Sequence, residues 1–330
     1  MTPAAEPDVT VLVVTWRARD LLAACLEALR GQTVPHRLLV VDNASTDGTA
    51  ELLEKYEEAR VLRLPRNAGF AGGAAAGLDD VRTPYVALLN DDALPAPGWL
   101  AALRAALVAD PGLVAATSRL LLASTAAGPA GGAGRVNNAG VLLRPDGYGA
   151  DRGLGEPDGP PYDVPAEVFG FSGGAALLRT GAVRTAGGFP APYFLYYEDT
   201  DTSWRLRLAG GRIGYVPDAV VRHVHSASAD QASASFSFHN ERNRLLTLTR
   251  CAPAGVAARE VARFPLTTAS LAAKRALRRP VPPAPHFRPG LRLCVLASYA
   301  RLLPWALRER RRIGRRCVVD RAAVADRWMR

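Results

Sequence analysis

Two short acidic runs hold the residue types that chemistry needs. Asn90-Asp91-Asp92 directly follows the apolar residues 86–89. Adjacent carboxylates ending a buried strand are electrostatically costly unless a cation or a hydrogen-bond network offsets them. Hard oxygen donors of this kind favour Mg2+ or Mn2+ over zinc. Glu198-Asp199-Thr200-Asp201 follows the aromatic run Tyr193-Phe194-Leu195-Tyr196-Tyr197. Aromatic walls suit a sugar, and a low local dielectric raises a carboxyl pKa toward the range of a general base. The same acids also suit a helix N-terminus. His223 and His225 lie beyond the strand-like residues 218–221 and share one face if that strand continues. On their own they read first as surface or core histidines. Asp42 can accept from a base N–H or a ribose hydroxyl, or cap the turn made by residues 43–45. Arg66 can pair with phosphate or with a surface acid. Gly69, Gly72 and Gly73 allow close backbone approach.

These groups need a scaffold. Val9–Thr15 (VTVLVVT) is a short β-branched apolar run, the pattern of a strand buried on both faces. Asp20 can cap a helix with Leu21, Leu22, Cys25, Leu26 and Leu29 on one face and Gly31 at its end. Further strands are expected at 38–41, 61–64 and 85–89, and helices at 45–56 and 71–78. Alternation with short loops predicts an α/β fold with a mostly parallel sheet. In such sheets ligands bind beyond the carboxyl ends of the strands. Four successive strand ends (15–16, 42–49, 66–70 and 90–92) carry polar or acidic groups beside small residues. Residues 124–165, crowded with Gly, Pro and Ala, read as a long loop, either a functional lid or a mobile segment. A strand near 175–178 and a helix near 199–209 follow. Beyond Ser237 the pattern is helical and Arg-rich, with breaks at Pro253, Pro265 and 280–289.

Composition narrows the function classes. The chain has 330 residues, 48% hydrophobic and 22% charged, a globular profile. No GxGxxG or Walker lysine motif occurs, which disfavours a dehydrogenase or a P-loop NTPase. The four Cys show no CxxC spacing, so neither a zinc ribbon nor a disulfide scaffold is indicated. Residues 1–8 do not read as a secretory signal, and no window approaches the length of apolar span that a membrane requires. A soluble or peripheral protein in the cytoplasm, at the inner face of the plasma membrane if peripheral, is the expectation. The net charge of +10 is unevenly spread. Residues 239–330 hold 21 Lys and Arg against 5 Asp and Glu, a net of +16, whereas residues 1–238 hold 20 against 26, a net of −6. The Arg-rich segment 291–316 can contact an anionic membrane or pack as a solvated helix. It also keeps open a nucleic-acid-binding protein, although no RRM, KH or helix-turn-helix signature accompanies it.

The pieces VTVLVVTW, VVDNASTDGT, RNAGFAGG, VALLNDDALPAPGWL, GFSGGAALLR, FLYYEDTDTSWRLRLAGGRIGYVPDAVVRH and ERNRLLTL stand in one order over residues 9–250. Together they resemble the inverting family-2 glycosyltransferases of the GT-A, or nucleotide-diphospho-sugar transferase, fold. Within that family the sequence is most similar to bacterial rhamnosyltransferase-type enzymes of cell-wall and polysaccharide assembly. The resemblance implies a GT-A domain over 1–238, with a nucleotide-sugar half at 1–92 and an acceptor half at 93–238, and a basic helical extension over 239–330.

It also implies roles for matching residues. Thr15, Trp16 and Asp42 would hold base and ribose, with Arg66, Asn67 and Gly69 near the nucleotide and diphosphate. Asp92 and His223 would bind the divalent metal, Mn2+ or Mg2+, with Asp91 beside them on the donor side. Asp199 would be the catalytic base. Gly173, Gly174, Glu198, Trp204 and Arg205 would line the acceptor and sugar site. Asn90 stands where the family often has the first Asp of its metal motif, so the diphosphate is expected to share the metal. The Gln-x-x-Arg-Trp signature of processive synthases is absent, which implies one sugar per acceptor. Donors implied are dTDP-rhamnose or a UDP-sugar, and acceptors a glycan or a lipid-linked carrier. An inactive sugar-nucleotide-binding homologue is the remaining alternative, against which both Asp92 and Asp199 are present.

Overall fold

The computed structural model describes residues 6–123, 134–224 and 233–330. Its first part alternates strand and helix: β1 (Val9–Thr15), α1 (Arg19–Arg30), β2 (Arg37–Asp42), α2 (Thr49–Leu53), β3 (Ala59–Arg63), α3 (Gly69–Asp80) and β4 (Tyr85–Asn90). All seven residues of β1 are buried, as its β-branched run requires. Parallel pairing places β1 between β2 and β4, with β3 outside β2. The connections leave β1 in opposite directions there. This is the switch point at which an α/β sheet opens a crevice at its carboxyl edge.

The chain continues through β5 (Ala93–Pro95), α4 (Trp99–Ala109) and β6 (Leu113–Leu122), then β7 (Val136–Asn138), β8 (Val141–Leu143) and β9 (Gly149–Asp151), the last two forming a separate two-stranded sheet, and β10 (Ala166–Glu167). Next come β11 (Ala175–Arg179), α5 (Thr180–Thr185), α6 (Glu198–Leu208) and β12 (Arg212–His223). The strand order is β10-β12-β6-β11-β4-β1-β2-β3, with β5 on β12 and β7 on β6. β11 runs antiparallel between β4 and β6, and β12 returns parallel to β6. One face is covered by α1 and α4 through Leu22, Leu26, Trp99 and Leu103, the other by α3, α5 and α6 through Ala74, Leu78, Val183 and Leu206. α3 lies close on the sheet because Gly73 has no side chain: a Cβ there would come within 2.6 Å of Val14 Cγ1.

Several local expectations are corrected. Asp20 does not cap α1; it lies in the first turn, and the amide of Arg19 donates to Asp47 Oδ2 from the loop after β2. That loop is longer than expected and α2 shorter, because Gly48 is left-handed and the acids 42 and 47 hold the loop rather than a helix. Where described, the segment 124–165 is not a bare loop. β8 pairs with β9, β7 joins β6, and its sparse apolar residues Val136, Val141, Leu143 and Tyr162 are all buried. His225 lies outside the described residues.

Four helices complete the chain: α7 (Ala234–Cys251), α8 (Ala254–Ala276), α9 (Pro289–Gly314) and α10 (Arg321–Trp328). Pro265 does not break α8. Proline removes one backbone N–H, and the inner face around it, Phe264, Thr268 and Leu271, is buried. α9 packs on α7, burying Val295, Tyr299, Ala306 and Ile313, and Arg310 donates to the carbonyls of Thr249 and Ala252 at 2.9 and 2.8 Å. Among the described residues, no helix is long and apolar enough to cross a membrane.

Candidate active site

A cavity of about 600 Å³ opens beyond the carboxyl ends of β1 and β4. Asp199, in the first turn of α6, faces into it. Its carboxylate accepts from the amide of Gly173 at 3.1 Å, and from the amide and hydroxyl of Thr200 at 2.5 and 3.1 Å. Burial pushes both Asp199 and its neighbour Glu198 above the usual carboxylate range, and the Asp199 charge pushes Glu198 further. These shifts suit proton acceptance near neutral pH.

On the opposite wall, His223 at the end of β12 stands over Asp92. His223 Nδ1 is 2.8 Å from Asn137 Oδ1, which orients the ring. Nε2 lies 2.9 Å from Asp92 Oδ1 and 3.2 Å from Asn90 Nδ2. Asp92 Oδ1 is buried and receives no aligned hydrogen bond. An imidazole nitrogen and a buried carboxylate oxygen therefore converge, an arrangement that fits a divalent cation. Asp91 lies beside them, pushed up to about 6 by burial, with the charge of Asp92 adding to the rise.

The aromatic run between these walls is strained. Phe194, Tyr196 and Tyr197 have φ of +66°, +67° and +71°, a region that bulky residues rarely adopt. Asn243 on α7 holds them there: its Nδ2 lies 3.1, 2.8 and 2.8 Å from the carbonyls of Tyr193, Leu195 and Tyr196. Gly69 makes room below, since a Cβ at its φ of +71° would fall 2.0 Å from the Phe194 carbonyl. Asn43 in turn holds the Gly69 turn, donating to Gly69 O and accepting from the Ala68 amide.

Thr15, Trp16, Asn67, Gly69, Asp91, Asp92, Gly173, Gly174, Glu198, Asp199 and His223 all border this one cavity. Four other expected site residues do not line it. Asp42 is buried and caps the turn, accepting from the Ser45 amide at 2.9 Å. Arg66 is exposed on the loop before Asn67. Trp204 is in the core, edge-on to Phe169 at 5.8 Å. Arg205 is buried against Asp201 at 2.7 Å and donates to the carbonyls of Ala186 and Gly188. For the last two the reason is the same: α6 is buried on nearly every side, so only its first turn reaches the cavity. Asp151 on β9, not expected from the sequence, does line it. Desolvation pushes Asp151 up to about 6 against a hydrogen bond from Asn138, and the charge of Asp199 adds to the rise.

A family model described as glycosyl transferase family 2 matches residues 10–121. The N-acetylglucosaminyl-diphospho-decaprenol L-rhamnosyltransferase of Mycobacterium tuberculosis is 31% identical over 268 residues, covering 69% of this chain and 80% of that protein. This chain belongs to glycosyl transferase family 2. The pre-mycofactocin glycosyltransferase of the same organism is 28% identical over 66% of the chain, but the match spans only 43% of that relative's length. The solved structure of GalNAc-T7 with UDP, GalNAc and Mn2+ superposes with a TM-score of 0.59 at 15% identity, covering 74% of this chain and 48% of that one, and so supports the GT-A fold.

The residues of this family-2 glycosyltransferase fit a divalent cation, with one carboxylate and one imidazole as donors. Among the described residues no cluster of three or more His, Cys, Asp and Glu forms a complete set. A bound molecule or water can supply further ligands.

Proposed function

We propose that the protein transfers a single sugar, with inversion, from a nucleotide-diphospho-sugar to a hydroxyl of a glycan or lipid-linked acceptor. The observation that carries this reading is Asp199: a half-buried carboxylate, held by neutral donors, facing the Asp92–His223 pair across one cavity. Asp199 takes the proton as the acceptor oxygen attacks the anomeric carbon. The Gly173 and Thr200 amides orient the carboxylate without neutralising it. Asp92 and His223 would hold a divalent cation, which would supply charge neutralisation at the departing diphosphate. Thr15, Trp16 and Asn67 receive the nucleotide, and Gly173 and Gly174 leave room for the sugars. Asp151 accepts hydrogen bonds from sugar hydroxyls between base and metal. In this reading residues 1–92 hold the donor, 93–238 the acceptor, and 239–330 form a basic helical extension whose outer face over 291–316 rests on an anionic membrane.

The named relative's rhamnosyl chemistry supports dTDP-rhamnose as donor, and a UDP-sugar is the second choice, since uracil and thymine present the same pairing edge. A thermal-shift panel of nucleotide sugars with and without Mn2+ tests the reading. The correct donor at 100-fold over its Kd adds about 2.7 kcal/mol of stability, and the gain needs the metal. A panel in which no nucleotide sugar shifts the transition, with or without Mn2+, contradicts it.

A further inference from the structure

A second cavity, of about 360 Å³, lies at the tip of the α8–α9 hairpin. Arg275, Arg278, Arg279 and Arg288 converge on it between Pro282 and Phe287. Among the described residues, the ion pairs of these two helices join Arg244 and Arg259 to Glu260 and Arg312 to Glu309, and none involves the four tip guanidiniums. The tip is stiff. Five prolines fall in residues 280–289. Buried Arg292 reaches back from α9, its guanidinium 3.7 Å from the centre of the Phe264 ring. It donates to Thr268 Oγ1 at 2.9 Å, the Phe264 carbonyl at 3.2 Å and the His286 carbonyl at 3.1 Å.

The four guanidiniums are exposed, and four like charges around one hollow repel each other until a counter-charge enters. The planar fork of arginine matches phosphate oxygens two at a time. Pro282 and Phe287 give the hollow apolar walls, and Leu277, 66% exposed, adds an apolar knob on the same tip. Anion and apolar surface together fit an ester better than free phosphate. We propose that the hairpin tip binds a phosphate or diphosphate ester, at a site separate from the cavity of Asp199. Residues 285–287 also pack on α7, whose Phe236 and Asn240 wall that cavity, so an ester bound at the tip lies beside the helix that bounds the sugar site.

The test uses the full chain. Pyrophosphate binding is measured by calorimetry in EDTA for the wild type, Arg279→Gln/Arg288→Gln and the equal-charge control Arg311→Gln/Arg312→Gln. The site predicts a loss of at least about tenfold in affinity for the first pair and less than about twofold for the control. The urea unfolding midpoint and Mn2+ binding in the absence of nucleotide should be unchanged in both, which shows that folding and the sugar site are intact. Absence of pyrophosphate binding, or equal losses in the two variants, overturns the proposal, the latter by reducing the effect to bulk charge. Flotation on phosphatidylglycerol vesicles identifies the source. Loss of both flotation and pyrophosphate binding in the tip variant upholds the site with a lipid headgroup as ligand. Loss of pyrophosphate binding alone upholds it with a soluble ester.

Discussion

Asp199 and Asp201 sit two residues apart on α6, in opposite electrostatic surroundings. Asp201 is fully buried and doubly paired, with Arg205 Nε 2.7 Å from one oxygen and Arg250 Nη1 2.6 Å from the other, and Tyr193 donating at 3.1 Å. Arg250 also stacks over Trp305 of α9, so this cluster ties the C-terminal helices to α6. Asp199 opens on the cavity and is held by two amides and a hydroxyl. Guanidiniums neutralise a carboxylate and occupy its lone pairs, which makes an anchor. Neutral dipoles orient it and leave its charge available, which makes a base. The two acids look alike in the sequence, and their surroundings separate their tasks.

Exchanging each acid for its amide should separate these tasks in measurement. In Asp199→Asn, turnover should fall about 10²- to 10⁴-fold, with donor affinity and the unfolding midpoint retained. In Asp201→Asn, two buried guanidiniums face an uncharged amide, and urea denaturation should register a loss of about 3–5 kcal/mol. Its turnover per folded molecule should change far less than that of Asp199→Asn. Near-native transfer by Asp199→Asn, or an unmoved denaturation midpoint in Asp201→Asn, would break the contrast.

The same logic recurs across the cavity at His223, which is also oriented by a neutral partner. Asn137 Oδ1 holds the ring at Nδ1 and so aims Nε2 at Asp92. Removing such a partner typically weakens metal binding 10- to 100-fold. Asn137→Ala should therefore lose about that much Mn2+ affinity, measured by titration with UDP present. Asn137→Asp, which keeps an acceptor at the same place, should recover most of it. Equal Mn2+ affinity in wild type and Asn137→Ala would leave Asn137 with a packing role only.

Much of the site was legible because it is local. The strand ends at 42–49 and 90–92 follow directly from apolar runs, and the acids of 198–201 follow an aromatic run, so position along the chain already implied position at the sheet edge. Asn137 and Asp151 were hidden for the converse reason. Each arrives on a three-residue strand in a Gly-rich segment, and pairing with β6 and β8 aims them at the cavity. Trp204 and Arg205 were misjudged because α6 is buried on nearly every side and shows no polar face from which to read its orientation. Asn243 belongs to a quoted motif, ERNRLLTL, yet its hold on three strained carbonyls is visible only in three dimensions.

The contrast between the two acids has a final consequence in pH. A general base works deprotonated, so kcat/KM falls about tenfold per unit of pH below the pKa that governs it. Burial raises Asp199, opposed by the Gly173 and Thr200 hydrogen bonds. The acid limb should therefore lie above the ordinary aspartate value of about 3.9, and the loss of rate should appear as pH falls through that raised value. Because Glu198 is pushed up by the charge of Asp199 as well as by burial, the limb belongs to the pair. The like-charge repulsion acts on both, so Glu198→Gln should leave the limb in place or move it down, and never up. Saturating Mn2+ should move it down too, since a cation across the cavity favours the carboxylate. A pH–rate profile whose acid limb sits at the ordinary aspartate value, in the absence of added metal, would mean that burial does not raise the base.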